Sequence, residues 1–202
     1  IIPSWYSLNS FSLSSSYVSD DFFGMMDFNE GLMSSSNKLD IAVGRILADS
    51  NDRAVDLVDK IESYYSQDSF DDWRNKLIVI SDDVDEPWEN IIQSTSNNIA
   101  DLISENKPFF NTKKILSDAY NQETSSGGER YPEVKNQIIN GMKQGALVIN
   151  YFGHGGEDGI ARERIFDKID ASEVINENKL NCFVSVTCEF TKFDLSLIHI
   201  SE

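Results

Sequence analysis

Short apolar runs alternate with amphipathic stretches along most of this chain, and that alternation predicts its fold. Leu77-Ile78-Val79-Ile80, Ala146-Leu147-Val148-Ile149 and Phe183-Val184-Ser185-Val186-Thr187 are β-rich and too short for helices, so they read as buried strands. Residues 88–103 carry Ile91, Ile92, Ile99, Leu102 and Ile103 at helical spacing. Pro132 opens a second helix with Val134, Ile138, Ile139 and Met142 on one side, and Gly145 stops it. Lys113-Lys114-Ile115-Leu116 begins a further strand, and a short helix lies near residues 171–175. Upstream, residues 39–46 read as a strand. Ala54, Leu57, Val58, Ile61 and Tyr65 mark a helix expected to pack on the sheet. Alternating strands and helices imply an α/β fold, a mostly parallel sheet flanked by helices, with sites at the carboxyl ends of its strands.

Two of those strand ends carry reactive side chains. The run 146–149 breaks into Asn150-Tyr151-Phe152-Gly153-His154-Gly155-Gly156-Glu157-Asp158-Gly159, and the run 183–187 ends at Cys188. In a parallel sheet all strand C-termini share one edge, so an imidazole and a thiol just past two of them meet without special folding. Such a pair suits nucleophilic catalysis, with the imidazole taking the thiol proton or holding the thiolate as an ion pair. Glycines beside the histidine let backbone approach a substrate, and the amides of Gly155 and Cys188 are candidate donors to a tetrahedral oxyanion. Taken singly, a histidine among glycines is more often a turn residue and a strand-end cysteine more often core; equivalent placement gives the pair its weight. Cys182, which begins an apolar run, reads as core.

Acidic clusters are a second candidate chemistry. Asp82, Asp83 and Asp85 follow a strand end, where carboxylates suit a Mg²⁺ or receiver-type site. No partnering lysine motif accompanies them, which favours a solvated loop or a substrate contact. Asp20-Asp21 precedes two aromatics and reads as a turn more readily than as a cation site.

The chain has 202 residues, 40% of them hydrophobic, enough for a substantial core. Its net charge of −17 argues against nucleic-acid partners, which need clustered Lys and Arg. No apolar run approaches the ~20 residues of a membrane-spanning helix. Cys182 and Cys188, six residues apart on what reads as one strand, are too distant to bridge and are expected to be free. Residues 1–68 read as the end of an upstream subdomain with a connecting strand and helix, and 69–194 as the main α/β subdomain. Residues 195–202 resemble a translated sequencing-library adapter and are expected to be non-native.

The His and Cys motifs, Asn150–Gly159 and Val186-Thr187-Cys188-Glu189-Phe190-Thr191-Lys192-Phe193-Asp194, together with Ile165-Phe166, Arg130-Tyr131-Pro132, residues 39–46 and Ser19-Asp20-Asp21-Phe22-Phe23-Gly24, resemble the gingipain-type cysteine peptidases, above all their secretion-system sortases. The resemblance runs from about Ser19 to Asp194. It implies a caspase-like fold for 69–194, His154 as general base or thiolate partner, and Cys188 as the nucleophile that forms an acyl-enzyme. It places Asp83 and Asp85, with Glu157, as candidate substrate-binding residues, but basic specificity does not carry over because the loop is shorter. No cofactor or metal is implied for catalysis, while the structural calcium of gingipains leaves room for Ca²⁺ in the acidic loops. The implied partners are proteins with C-terminal secretion signals, a lipopolysaccharide acceptor and other type IX secretion components, at the outer membrane or cell surface. The catalytic domain is expected to continue past Asp194, and the fragment alone to be poorly active. A secreted endopeptidase and an inactive caspase-like interaction scaffold are the alternatives.

Overall fold

The computed structural model describes residues 3–7, 17–34 and 36–190. Residues 191–194 of the cysteine motif and the segment 195–202 lie outside them. The chain divides into two compact units, with the division between Val58 and Asp59.

In the first unit β1 (Trp5–Tyr6) pairs antiparallel with β2 (Val18–Ser19). The strand expected over 39–46 does not form. Asp40 and Ile41 both donate their amides to the Gly24 carbonyl, at 2.9 and 3.4 Å, and no ladder is made there. Gly24 is needed for this approach, because a Cβ on it would lie 2.7 Å from the Ile41 carbonyl oxygen. Arg45 closes the segment with a bidentate pair to Asp20, 2.6 and 2.5 Å, which commits both oxygens of that carboxylate.

Helix α1 (Asn51–Tyr65) forms as expected but carries no buried residue. Val55, Val58, Ile61 and Tyr65 are exposed, so its apolar stripe does not pack down as expected. Helical spacing reports that a face is apolar; it does not say what covers that face.

The rest of the chain builds the sheet. In order come β3 (Lys76–Ser81), α2 (Asn90–Asn106), β4 (Asn111–Leu116), the hairpin β5 (Glu123–Ser125) and β6 (Gly128–Arg130), α3 (Pro132–Gln144) and β7 (Val148–Phe152). Three two-residue strands follow, β8 (Gly155–Gly156), β9 (Gly159–Ile160) and β10 (Phe166–Asp167), then α4 (Lys168–Glu173) and β11 (Cys182–Val186). The main sheet is four-stranded and parallel, in the order β11-β7-β3-β4. This is the expected α/β architecture.

Burial follows position in the sheet. β3 is central and buried on both faces from Leu77 to Ser81. Ile78 and Ile80 point into a core with Ile115, Ile149 and Tyr151, covered by Val134, Ile138 and Met142 of α3. Leu77 and Val79 alternate to the other face, and α2 packs on β3 and β4 with Ile92, Ser96 and Ala100 buried. β11 lies at the edge, and Cys182, Val184 and Val186 are exposed. Cys182 is therefore not a core residue: on an edge strand only alternate side chains, here Phe183 and Ser185, turn inward. Both cysteines are free thiols, as expected.

Candidate active site

Three parallel strand ends lie side by side at the carboxyl edge. The register pairs Ser81 of β3 and Val186 of β11 with Phe152 of β7. The ladder runs slightly further on both sides: Asp82 donates its amide to the Phe152 carbonyl at 3.2 Å, and Gly153 donates to the Val186 carbonyl at 3.2 Å. His154 and Cys188 each stand two residues past their strand, at equivalent positions on neighbouring strands about 5 Å apart. Their loops are in close contact. A Cβ on Gly155 would lie 2.9 Å from the Cys188 carbonyl oxygen and closer still to Thr187 Oγ1, so the residue after the histidine must be small.

The histidine is held through its backbone amide, its carbonyl and its imidazole Nε2. Its amide donates to Asp82 Oδ2 at 2.7 Å. Its carbonyl accepts from the Tyr151 hydroxyl at 2.6 Å and the Ala161 amide at 2.9 Å. Burial beside Asp82 keeps the Tyr151 phenol protonated, and hence a donor, through any ordinary pH. The imidazole Nε2 lies 2.7 Å from Glu89 Oε1, and Trp88, 63% exposed, meets the ring edge-on at 5.9 Å.

Glu89 is the residue that the sequence reading missed. Its carboxylate is fully buried, yet its Oε2 accepts the amides of Asp85 (2.8 Å) and Glu86 (2.7 Å). Those donors, first of all the Glu86 amide, hold its pKa below the ordinary carboxylate value despite burial. An ionised carboxylate only accepts, so Nε2 carries the proton and Nδ1 keeps its lone pair. The sequence signal was Glu86-Pro87-Trp88-Glu89, a helix-start pattern with proline at the first position and an acid two residues on. What it could not give was the partner 65 residues downstream.

Asp82 and Asp83 are buried, 1% and 6% exposed, which corrects the expectation of a solvated loop. The chain leaves β3 beneath the β7 loop, so the first carboxylates after the strand end face protein. Asp83 accepts the Tyr131 hydroxyl at 3.1 Å. Glu163 joins them, 4% exposed, from a turn in which Ala161 and Arg164 take left-handed conformations (φ 62° and 53°). Burial pushes the pKa of Asp82 up to about 6 and that of Glu163 up to about 7. Asp85, in contrast, is near the surface and pairs with Arg162 at 2.8 Å, whose other nitrogen stands 3.9 Å from Glu89. Glu157 is exposed, and Asp158 pairs with Lys168 at 3.0 Å, so neither is the acid that holds the imidazole.

A parallel sheet that brings a histidine and a cysteine to one edge, with helices on its faces, defines a caspase-like fold of the gingipain type. The fold matches the crystal structure of the Arg-specific cysteine proteinase gingipain R with a TM-score of 0.61 at 21% identity, covering 84% of this chain and 35% of that one. The chain belongs to peptidase family C25, whose sequence model matches residues 1–202. No curated protein matches it significantly.

Proposed function

We propose that this chain carries the nucleophile and base of a cysteine peptidase that works by acyl transfer. The observation behind this reading is the Glu89–His154 hydrogen bond, which leaves the imidazole Nδ1 free on a loop packed against that of Cys188. His154 takes the thiol proton, and the Cys188 sulfur attacks the scissile carbonyl. The C–S bond forms, the C–N bond breaks, and the imidazolium returns its proton to the leaving amine. The amides of Gly155 and Cys188 face the oxyanion. Glu89 keeps the tautomer and stabilises the imidazolium as it forms.

The more specific reading is a sortase of the PorU kind in type IX secretion. It removes the C-terminal secretion signal of a cargo protein and passes the acyl group to an amine on a surface lipopolysaccharide, or to water. The enzyme is then exported and works at the outer membrane beside other secretion components. Among the described residues no helix is long and apolar enough to cross a membrane. Trp88, Asp85 and Glu157 are exposed, which suits the substrate-contact role proposed for the two acids, while Asp83 is buried against Tyr131.

The test is to incubate the full-length protein with a cargo bearing its C-terminal signal and an amine acceptor, and to weigh the product. An acyl–amine adduct lost in Cys188→Ala supports the sortase. Broad cleavage of unrelated peptides with no adduct replaces it with a degradative endopeptidase. An inert thiol and no cleavage leave the interaction scaffold.

A further inference from the structure

We infer that Trp88 is the wall of the subsite for the first residue on the leaving side of the scissile bond, and that it selects an apolar side chain there. This rests on the acyl-transfer reading above.

The indole stands where the fold gives no reason for one. Of the chain's three tryptophans, Trp73 is 1% exposed and donates its indole N–H to the Ser69 carbonyl at 2.9 Å, and Trp5 packs on Tyr17 at 5.7 Å. Trp88 is 63% exposed, and Ile91, three residues on and so on the same helical face, is also exposed.

What sets Trp88 apart from other exposed apolar side chains is a fixed backbone and contact with the imidazole. Pro87 has its φ locked by its ring. The Glu89 amide donates to the Glu86 carbonyl at 2.9 Å, and the Asn90 side chain donates to the Pro87 carbonyl at 2.8 Å. The buried Glu89 carboxylate accepts the amides of Asp85 and Glu86. The indole is thereby presented from a turn bonded on both sides of it, with its ring 5.9 Å from the His154 ring and at 90° to it. A pre-set aromatic surface of this kind costs little ordering when a ligand meets it.

The order of the strand ends gives the side of the substrate. Along the carboxyl edge the strands run β11, β7, β3, so Cys188, His154 and the turn that carries Trp88 follow in that order. The sulfur attacks the scissile carbonyl carbon, and the imidazolium hands its proton to the nitrogen that departs as the C–N bond breaks. A substrate laid across the three has its acyl part at Cys188 and its leaving nitrogen at His154. The side chain of the residue that bears this nitrogen then falls at Trp88. An amine that accepts the acyl group enters by the same place and meets the same wall. An apolar side chain gains there by burial against the indole, and a bare glycine gains nothing.

The experiment gives the full-length parent, Trp88→Ala and Trp88→Phe one acyl donor, a cargo protein with its C-terminal signal. The cut is located by mass, the residue after it is set to Leu, Phe or Gly, and release of the signal is timed. Leu-amide and Gly-amide then compete as acceptors. The parent is expected to release the signal about tenfold faster with Leu or Phe than with Gly, and to favour Leu-amide by a similar factor. In Trp88→Ala the Leu-to-Gly ratio should fall to about 1–2, and in Trp88→Phe most of it should remain. Release by the parent without preference, or an unchanged ratio in Trp88→Ala, would overturn the assignment while leaving the peptidase reading intact. A rate lost equally for all three residues in Trp88→Ala would reduce Trp88 to a structural role. No release by the parent with any residue, and a Cys188 thiol inert to iodoacetamide, would overturn the acyl-transfer reading and this inference with it.

Discussion

Two buried acidic sites flank His154, and they stand in opposite states. Glu89 is fully buried but accepts two backbone amides and the imidazole, and its pKa is lowered. Asp82 and Glu163 are as deeply buried with fewer donors, and theirs are raised. Burial alone does not decide whether a carboxylate is charged; the donors around it do. One site is thereby built to hold an anion against a base, and the other to keep its protons further up the pH scale.

The largest expected effect breaks the first site. Glu89→Gln presents an amide to Nε2, which reverses the imidazole tautomer and turns the Nδ1 lone pair into an N–H. Peptidase activity of the full-length protein should fall by about 10²- to 10⁴-fold, comparable with His154→Ala. A fall under about threefold would remove Glu89 from the mechanism. The buried Glu89 carboxylate also has a pH signature. A depressed folded-state pKa stabilises the protein above the unfolded value, near 4.5, and that stability is lost as pH falls through the folded value. Thermal unfolding curves should accordingly show a constant gap between parent and Glu89→Gln from pH 8 to about 5, closing below about 4.5. A gap that widened in acid would contradict it.

Next in size is the junction between the two sites. Gly153→Ala would put a Cβ 2.5 Å from Asp82 Cβ and against the Tyr151 hydroxyl, and is expected to destabilise by about 1–3 kcal/mol in urea unfolding. Asp82→Asn sharpens the comparison, since it keeps an acceptor for the His154 amide and deletes a poorly compensated charge. Its stability at neutral pH should stay within about 1 kcal/mol of the parent. A loss as large as that of Gly153→Ala would mean that the Asp82 charge is needed by the fold itself. Smallest of all is Arg162→Ala, which opens an exposed pair with Asp85. Salt screens such pairs, and stability should change by less than about 1 kcal/mol.

How much of this was legible in the sequence depended on range. Short continuous apolar runs located β3, β7 and β11, helical spacing located α2 and α3, and the parallel order put His154 and Cys188 at one edge. Local patterns failed where a partner decides the outcome. Residues 39–46 look like a strand but bond to Gly24, and α1 is amphipathic yet uncovered. Cys182 sits in an apolar run but on the open side of an edge strand. In the site, the glycines adjoin the histidine, and the histidine and cysteine each directly follow a recognisable strand. Glu89 and Glu163 reach His154 and Asp82 only through the tertiary fold, and nothing within a few residues of either announces it.

The most direct measurement is the rate of Cys188 alkylation against pH in the full-length protein, compared with His154→Ala and Glu89→Gln. The parent is expected to react with a midpoint well below the free-thiol value of about 8.5, and both variants to shift back towards it. Three superimposable profiles near that value would contradict an activated nucleophile at this strand end.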